Sequence, residues 1–112
     1  MRLYNLTSLF VLLLAFNFDA KAYTIFSSYG NCETWNKYIE EEKDNPYGGY
    51  DAVLSSWLAG FISSLNMYSG EENFPNLDLA TIKEYVENYC VKNPTDKAYN
   101  AVLEVIKKNK VK

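Results

Sequence analysis

The stretch VLSSWLAGFISSL, residues 53–65, constrains the fold more than any other part of the chain. Val53, Leu54, Trp57, Leu58, Phe61, Ile62 and Leu65 are apolar, and only Ser, Ala and Gly separate them. Spacings of three and four residues over three turns mark one face of an α-helix, not the alternation of a strand. A face that broad demands burial, so all seven residues are expected in a core.

Three further stretches carry the same period. A first helix is predicted over residues 32–43, with Cys32, Trp35 and Ile39 on one stripe; Asn45-Pro46 and Gly48-Gly49 then break it. The second, residues 50–68, contains the opening stretch, with Gly70 placed to cap its C-terminus. After the irregular loop GEENFPN, Asp78 is a natural N-cap for a third helix over residues 79–91, whose stripe holds Leu79, Ile82, Val86 and Tyr89 or Cys90. Asn93 is expected to cap a fourth helix, with Pro94 in its first position and Ala98, Ala101, Val102, Val105 and Ile106 inward. Short connections and four amphipathic stripes predict an all-α chain, a compact four-helix bundle. Its core should comprise Trp35, the seven residues above, Ile82, Val86, Val102, Val105 and Ile106. The second helix, broadest in apolar surface, is expected at its centre. Asn66 ends the apolar stripe; a buried amide must be hydrogen-bonded, so it should tie down a loop or helix end.

The N-terminus has the pattern of an export signal. Arg2 is followed by the apolar run Leu9–Phe16 and by Ala20-Lys21-Ala22, a small-x-small cleavage site. The run is well short of the ~20 residues of a spanning helix. The expectation is a cleaved leader over residues 1–22 and a single domain over 23–112, periplasmic or secreted, with no stable membrane anchor after cleavage. Two cysteines in an exported chain pair with each other, so a Cys32–Cys90 disulfide is expected. Closing so long a loop in the unfolded chain contributes about 4 kcal/mol. That is comparable to the whole stability of a small domain.

Charge and composition remove several functions. Between Tyr23 and Val91 there are 11 acidic and 3 basic residues; from Lys92 onward there are 6 basic and 2 acidic. An acidic body argues against nucleic acid, whose phosphates need a basic face. The basic end reads as a solvated helix terminus favoured by the helix dipole. The chain has no histidine, hence no Ser-His or Cys-His nucleophile and no imidazole metal site. Glu40-Glu41-Glu42 and Glu71-Glu72 lack the order of a calcium loop, and Gly48-Gly49 lacks the spacing of a phosphate loop. The chain is therefore expected to be no enzyme and to hold no metal or cofactor. Two features suit protein binding. Tyr47 and Tyr50 flank the glycine pair in NPYGGYD, and tyrosine offers large contact area at low entropic cost. MYSGEENFPN adds Tyr68, Glu71, Glu72 and Phe74, an acidic loop that could enter a basic cleft of a partner.

An ordered set of residues carries a family resemblance: Gly30-x-Cys32-x-x-Trp35, Trp57-x-x-Gly60-Phe61-x-Ser63-x-x-Asn66, Asp78, Tyr89-Cys90-x-x-Asn93-Pro94 and Ala101. The set spans most of the mature chain in short motifs. It resembles the amidase-immunity proteins of type VI secretion, the Rap/Tai type, and more loosely the HdeA-type acid-stress chaperones. The chain departs from the first group in having one cysteine pair and no terminal aromatic-Cys ending. The resemblance implies a periplasmic helical domain that acts by binding protein. In the immunity type the partner is a peptidoglycan-cleaving effector, and the inhibitor forms a homodimer or docks a loop into the enzyme's cleft. In the chaperone type, acid unfolds the domain and exposes apolar surface. Protonating the mature chain's many carboxylates would favour that change. The leading expectation is an immunity-type inhibitor acting by steric occlusion; the alternatives are an acid-activated chaperone and an envelope accessory protein.

Overall fold

The computed structural model describes residues 27–110. Four α-helices lie among them and no strand: α1, Cys32–Asp44; α2, Tyr50–Ser69; α3, Leu79–Lys92; and α4, Ala98–Lys110. A 3-10 turn, Ser28–Gly30, precedes α1. The expected leader lies outside the described residues. None of the described helices is long and apolar enough to cross a membrane.

The first three helices end within one residue of the sequence reading. Gly49 (φ 78°) precedes α2 and Gly70 (φ 69°) follows it, both in the left-handed region that favours glycine. Asp78 caps α3 by accepting a 2.7 Å hydrogen bond from the Thr81 backbone N–H. The start of the fourth helix differs. Asn93 does not cap α4. Its backbone N–H and side-chain amide both donate to the Tyr89 carbonyl and close α3. A turn through Pro94 follows, and α4 begins at Ala98. Asp96 stands just before the helix and braces its start: its Oδ1 accepts from the Lys97 N–H at 2.7 Å and from the Asn100 side chain, Nδ2, at 2.9 Å.

That shift places the start of α4 beside the start of α1. The Asp96 carbonyl accepts from the Cys32 N–H at 3.0 Å, and Lys97 Nζ donates to Asn31 Oδ1 at 2.9 Å. The Asp96 carboxylate also accepts from the Tyr89 hydroxyl. The Tyr89 bond, then the Lys97 N–H and Asn100, hold the Asp96 carboxyl below the ordinary carboxylate range. The same bond and burial push the Tyr89 hydroxyl up to about 12. The Cys32–Cys90 disulfide closes this junction, joining residues 58 apart with Cα atoms separated by 4.8 Å. Trp35 Nε1 donates to the Tyr29 carbonyl and Asn36 Nδ2 to the Cys90 carbonyl, which ties α1 to the turn before it and to α3, while the buried Asn36 Oδ1 has no partner.

Trp35, Leu54, Leu58, Ile82, Val86, Val102 and Val105 are buried, together with both cysteines, Ala98 and Ala101. Trp57, Phe61, Ile62, Leu65 and Ile106 pack against them while partly exposed. Val53 is not a core residue: it is 37% exposed. Neighbours on a helix point about 100° apart, and the buried arc centres on Leu54 and Leu58. The central helix is also not α2. α3 packs on α1, α2 and α4, whereas α2 packs mainly on α1 and α3. The disulfide pins α1 to α3, so the most apolar helix lies to one side and keeps an outward face.

Candidate protein-binding surface

The six residues expected to meet a partner divide between the two ends of α2. Tyr50 to Tyr68 spans about 27 Å at the helical rise, so they form no single patch. At the first end Tyr47 projects from the turn after α1, 98% exposed. Tyr50 does not join it. Its ring is edge-on to Tyr38 at a centroid distance of 5.3 Å and lies over Gly48, where an added Cβ would stand 2.3 Å from a ring carbon. Tyr50 thus shapes the turn and leaves Tyr47 as its protruding group.

At the other end the loop folds back on the helix. Asn66 Oδ1 accepts from the Asn73 N–H at 3.0 Å and from Asn73 Nδ2 at 2.9 Å, while Asn66 Nδ2 donates to Glu72 Oε1 at 3.0 Å. Glu72 Oε1 also accepts from the Phe74 N–H, and Ser69 Oγ accepts from Asn73 Nδ2. Asn66 therefore ties the loop to the helix end, the role expected of it. The same geometry corrects one assignment: Phe74 is buried in the core. Glu72 stays exposed, with its Oε1 engaged within the loop. A loop aromatic follows the chain inward when the amide network turns the backbone toward α2. Glu71 and Tyr68 remain exposed, Tyr68 at 89%.

Sequence reasoning missed Met67, which is 84% exposed beside Tyr68. The signal was available: nine residues past Leu58, Met67 lies about 180° around the helix from it. From that tip the outer face of α2 runs back through Ser64, Ser63, Gly60, Ser56, Val53 and Ala52, all exposed. No Lys, Arg, Asp or Glu falls between Asp51 and Glu71. Gly60 stands in open space, with nothing within 4 Å of a Cβ built on it. Beside the face, Ser27, Tyr29, Ala52, Val53, Ser56 and Trp57 line a shallow groove of about 520 Å³.

The inner arc holds this face rigid. Trp57 stacks on Phe61 with centroids 5.1 Å apart and meets Trp35 edge-on at 6.1 Å; Phe61 reaches Tyr99 of α4. Lys83 of α3 grips Asp51 of α2 at 2.6 Å and also pairs with Glu87. Burial lowers the Lys83 pKa, but its bonds to Asp51 and Glu87 outweigh that and leave it raised. Among the described residues no cluster of Cys, Asp or Glu could hold a metal ion, and both cysteines are in the disulfide. What the arrangement offers is a braced, uncharged helix face ending in two bare side chains. No protein-family model, curated relative or solved structure matches the chain.

Proposed function

We propose that this is an exported protein-binding protein, an immunity-type inhibitor that occludes a partner enzyme with the outer face and C-terminal tip of α2. One observation carries the reading: Met67 and Tyr68 stand 84% and 89% exposed on a helix end that the Asn66–Asn73–Glu72 network braces. Tyrosine offers large contact area for few rotatable bonds and methionine adapts to irregular apolar surface, so the two suit a contact with another protein. The leader-like N-terminus and the disulfide support an oxidising compartment, the periplasm or the exterior. The ordered motif set resembling the amidase-immunity proteins supports a peptidoglycan-cleaving effector as the partner.

The test is capture from bacterial envelope extract at neutral pH with the oxidised chain, followed by titration of the purified partner's activity. The expected result is one stoichiometric enzyme, inhibited one to one, with capture and inhibition lost in a Met67→Ala/Tyr68→Ala variant and kept in Tyr47→Ala. Inhibition that ignores the tip, or no partner at all, overturns the reading. A second reading, the acid-activated chaperone, is favoured by one feature. Asp78 and Asp96 sit at the starts of α3 and α4 as hydrogen-bonded carboxylates with lowered pKa, and acid would loosen both joints. Client binding that appears only after acidification would select it.

A further inference from the structure

α2 is the longest described helix, yet it leaves one face bare. A surface helix ordinarily carries charged residues on its solvent side. This one exposes Val53, Gly60, Met67 and Tyr68 and has no charged side chain between Asp51 and Glu71. Glycine in a helix interior weakens it relative to alanine. Gly60 has an ordinary helical φ and an empty surround, so nothing inside the fold calls for glycine there. The empty surround leaves room there for a second backbone to come close from outside.

Charge decides what approaches. From Asp44 to Ile82 the chain has no Lys or Arg and five carboxylates: Asp44, Asp51, Glu71, Glu72 and Asp78. Lys83 offsets Asp51. Both ends of the bare face remain acidic: Glu42, which accepts from the Asp51 N–H, and Asp44 precede one end, where Lys43 is paired with Glu40, and Glu71 and Glu72 follow the other. A second copy laid along the face would bring carboxylates together, whether parallel or antiparallel, and like charges in register disfavour that pairing.

We infer that the outer face of α2 docks lengthwise on a partner protein whose surface is uncharged over about 27 Å and carries Lys or Arg at both ends. This rests on the binding reading above and adds the partner's chemistry. Gly60 sets the distance of approach, Met67 and Tyr68 fill the apolar part, and Glu71 and Asp44 meet the cations. Because the contacts at the ends are between solvent-exposed charges, salt should weaken them.

Two synthetic helical peptides test this, each with an Ala/Leu face, one ending in Lys at both termini and the other in Glu. Each is titrated into the full oxidised chain, following tryptophan emission and the Gly60 amide resonance. The Lys-ended peptide should bind, roughly tenfold more weakly in 0.5 M than in 0.05 M salt, and the Glu-ended peptide should not. Gly60→Leu should abolish binding while the variant melts no lower than the parent, since the added side chain points into open space. Equal affinity for both peptides, no binding by either, or binding unchanged by Gly60→Leu overturns the inference. So does a dimer in sedimentation that Gly60→Leu dissociates, because the face would then be made for its own copy. If neither peptide binds but the captured enzyme still requires Tyr68, the charge inference fails alone; if the enzyme ignores the tip, the underlying reading fails.

Discussion

The two sides of the molecule are built on opposite principles. Around the disulfide, α1, α3 and the start of α4 are joined by Cys32–Cys90, the Asp96–Cys32 backbone bond and the Lys97–Asn31 contact. On the far side, the outer face of α2 exposes Val53, Gly60, Met67 and Tyr68 with no charge between them. The pinned side meets the usual demand on a small domain, a staple where the core alone is marginal. The bare side is uncharged where solvation would favour charge. The difference teaches that apolar content and centrality are separate properties. The most apolar helix was expected in the middle, but the staple gave the centre to α3.

The largest expected effect breaks the pinned side. Cys32→Ser opens a loop whose closure contributes about 4 kcal/mol, so the variant should melt far below the parent or fail to fold, as circular dichroism would report. A parent-like melt would mean that the packing of α1 on α3 holds without the bridge. Next comes the inner arc of α2. Trp57→Ala removes the stack on Phe61 and the edge contact with Trp35. It should cost about 3 kcal/mol in urea unfolding, near the low end for a truncated core aromatic because the ring is partly exposed. A near-neutral result would make both faces of α2 solvent surface and remove the contrast.

How much of this was legible depended on whether a residue's neighbours in space were also its neighbours in sequence. The helix boundaries, the Asp78 cap and the Gly70 cap follow from local chemistry and were readable. Asn66 was readable as a tie because an amide closing an apolar stripe needs partners; which partners, Asn73 and Glu72, was not. Phe74 and Tyr50 stand in less open settings than their sequence neighbours suggest, for one reason. A loop aromatic looks available in sequence, yet Phe74 enters the core once the loop folds back and Tyr50 lies over Gly48. Val53 was misassigned because the pattern fixes a face but not its width. The contacts of Asp96, its side chain to Lys97 and Asn100 and its carbonyl to the Cys32 N–H, depend on how the starts of α1 and α4 meet and could not be read from Asn93-Pro94.

Two further effects bear on how the bare side is held. Asn66→Ala removes the acceptor of the Asn73 backbone N–H, one of the two 2.9 Å acceptors of its side-chain amide, and one of the two donors to Glu72 Oε1. It should cost about 1–3 kcal/mol in urea unfolding, the range for a buried polar group left unpaired. It should also weaken capture by the α2 tip while sparing the Tyr47 end. If stability falls and capture does not, the brace serves the fold alone. Acid acts on the joints. Asp78 and Asp96 both have folded pKa values below their ordinary ones, so their stabilisation is present above the unfolded pKa, near 4, and is lost as pH falls through the folded values. Melting temperature should therefore drop below about pH 4, and less steeply in Asp96→Asn, which has no Asp96 proton left to take up. An identical slope in that variant would put the acid sensitivity elsewhere.

The smallest expected effect sharpens the comparison most. Gly60→Ala should stabilise the free chain by about 0.5–1 kcal/mol, the difference in helix propensity, because the new methyl meets nothing within 4 Å. The melting temperature should rise by about 2–8 °C for a domain of this size. On the pinned side a change of this size in volume would meet packed neighbours; here it meets solvent. The same methyl should weaken docking, and Gly60→Leu should weaken it further, since each sets the partner's backbone farther away. A stabilised variant that binds as well as the parent would leave Gly60 as an uncompensated weakness in α2. A stabilised variant that binds less well would show that α2 gives up stability at one position so that another surface can come close.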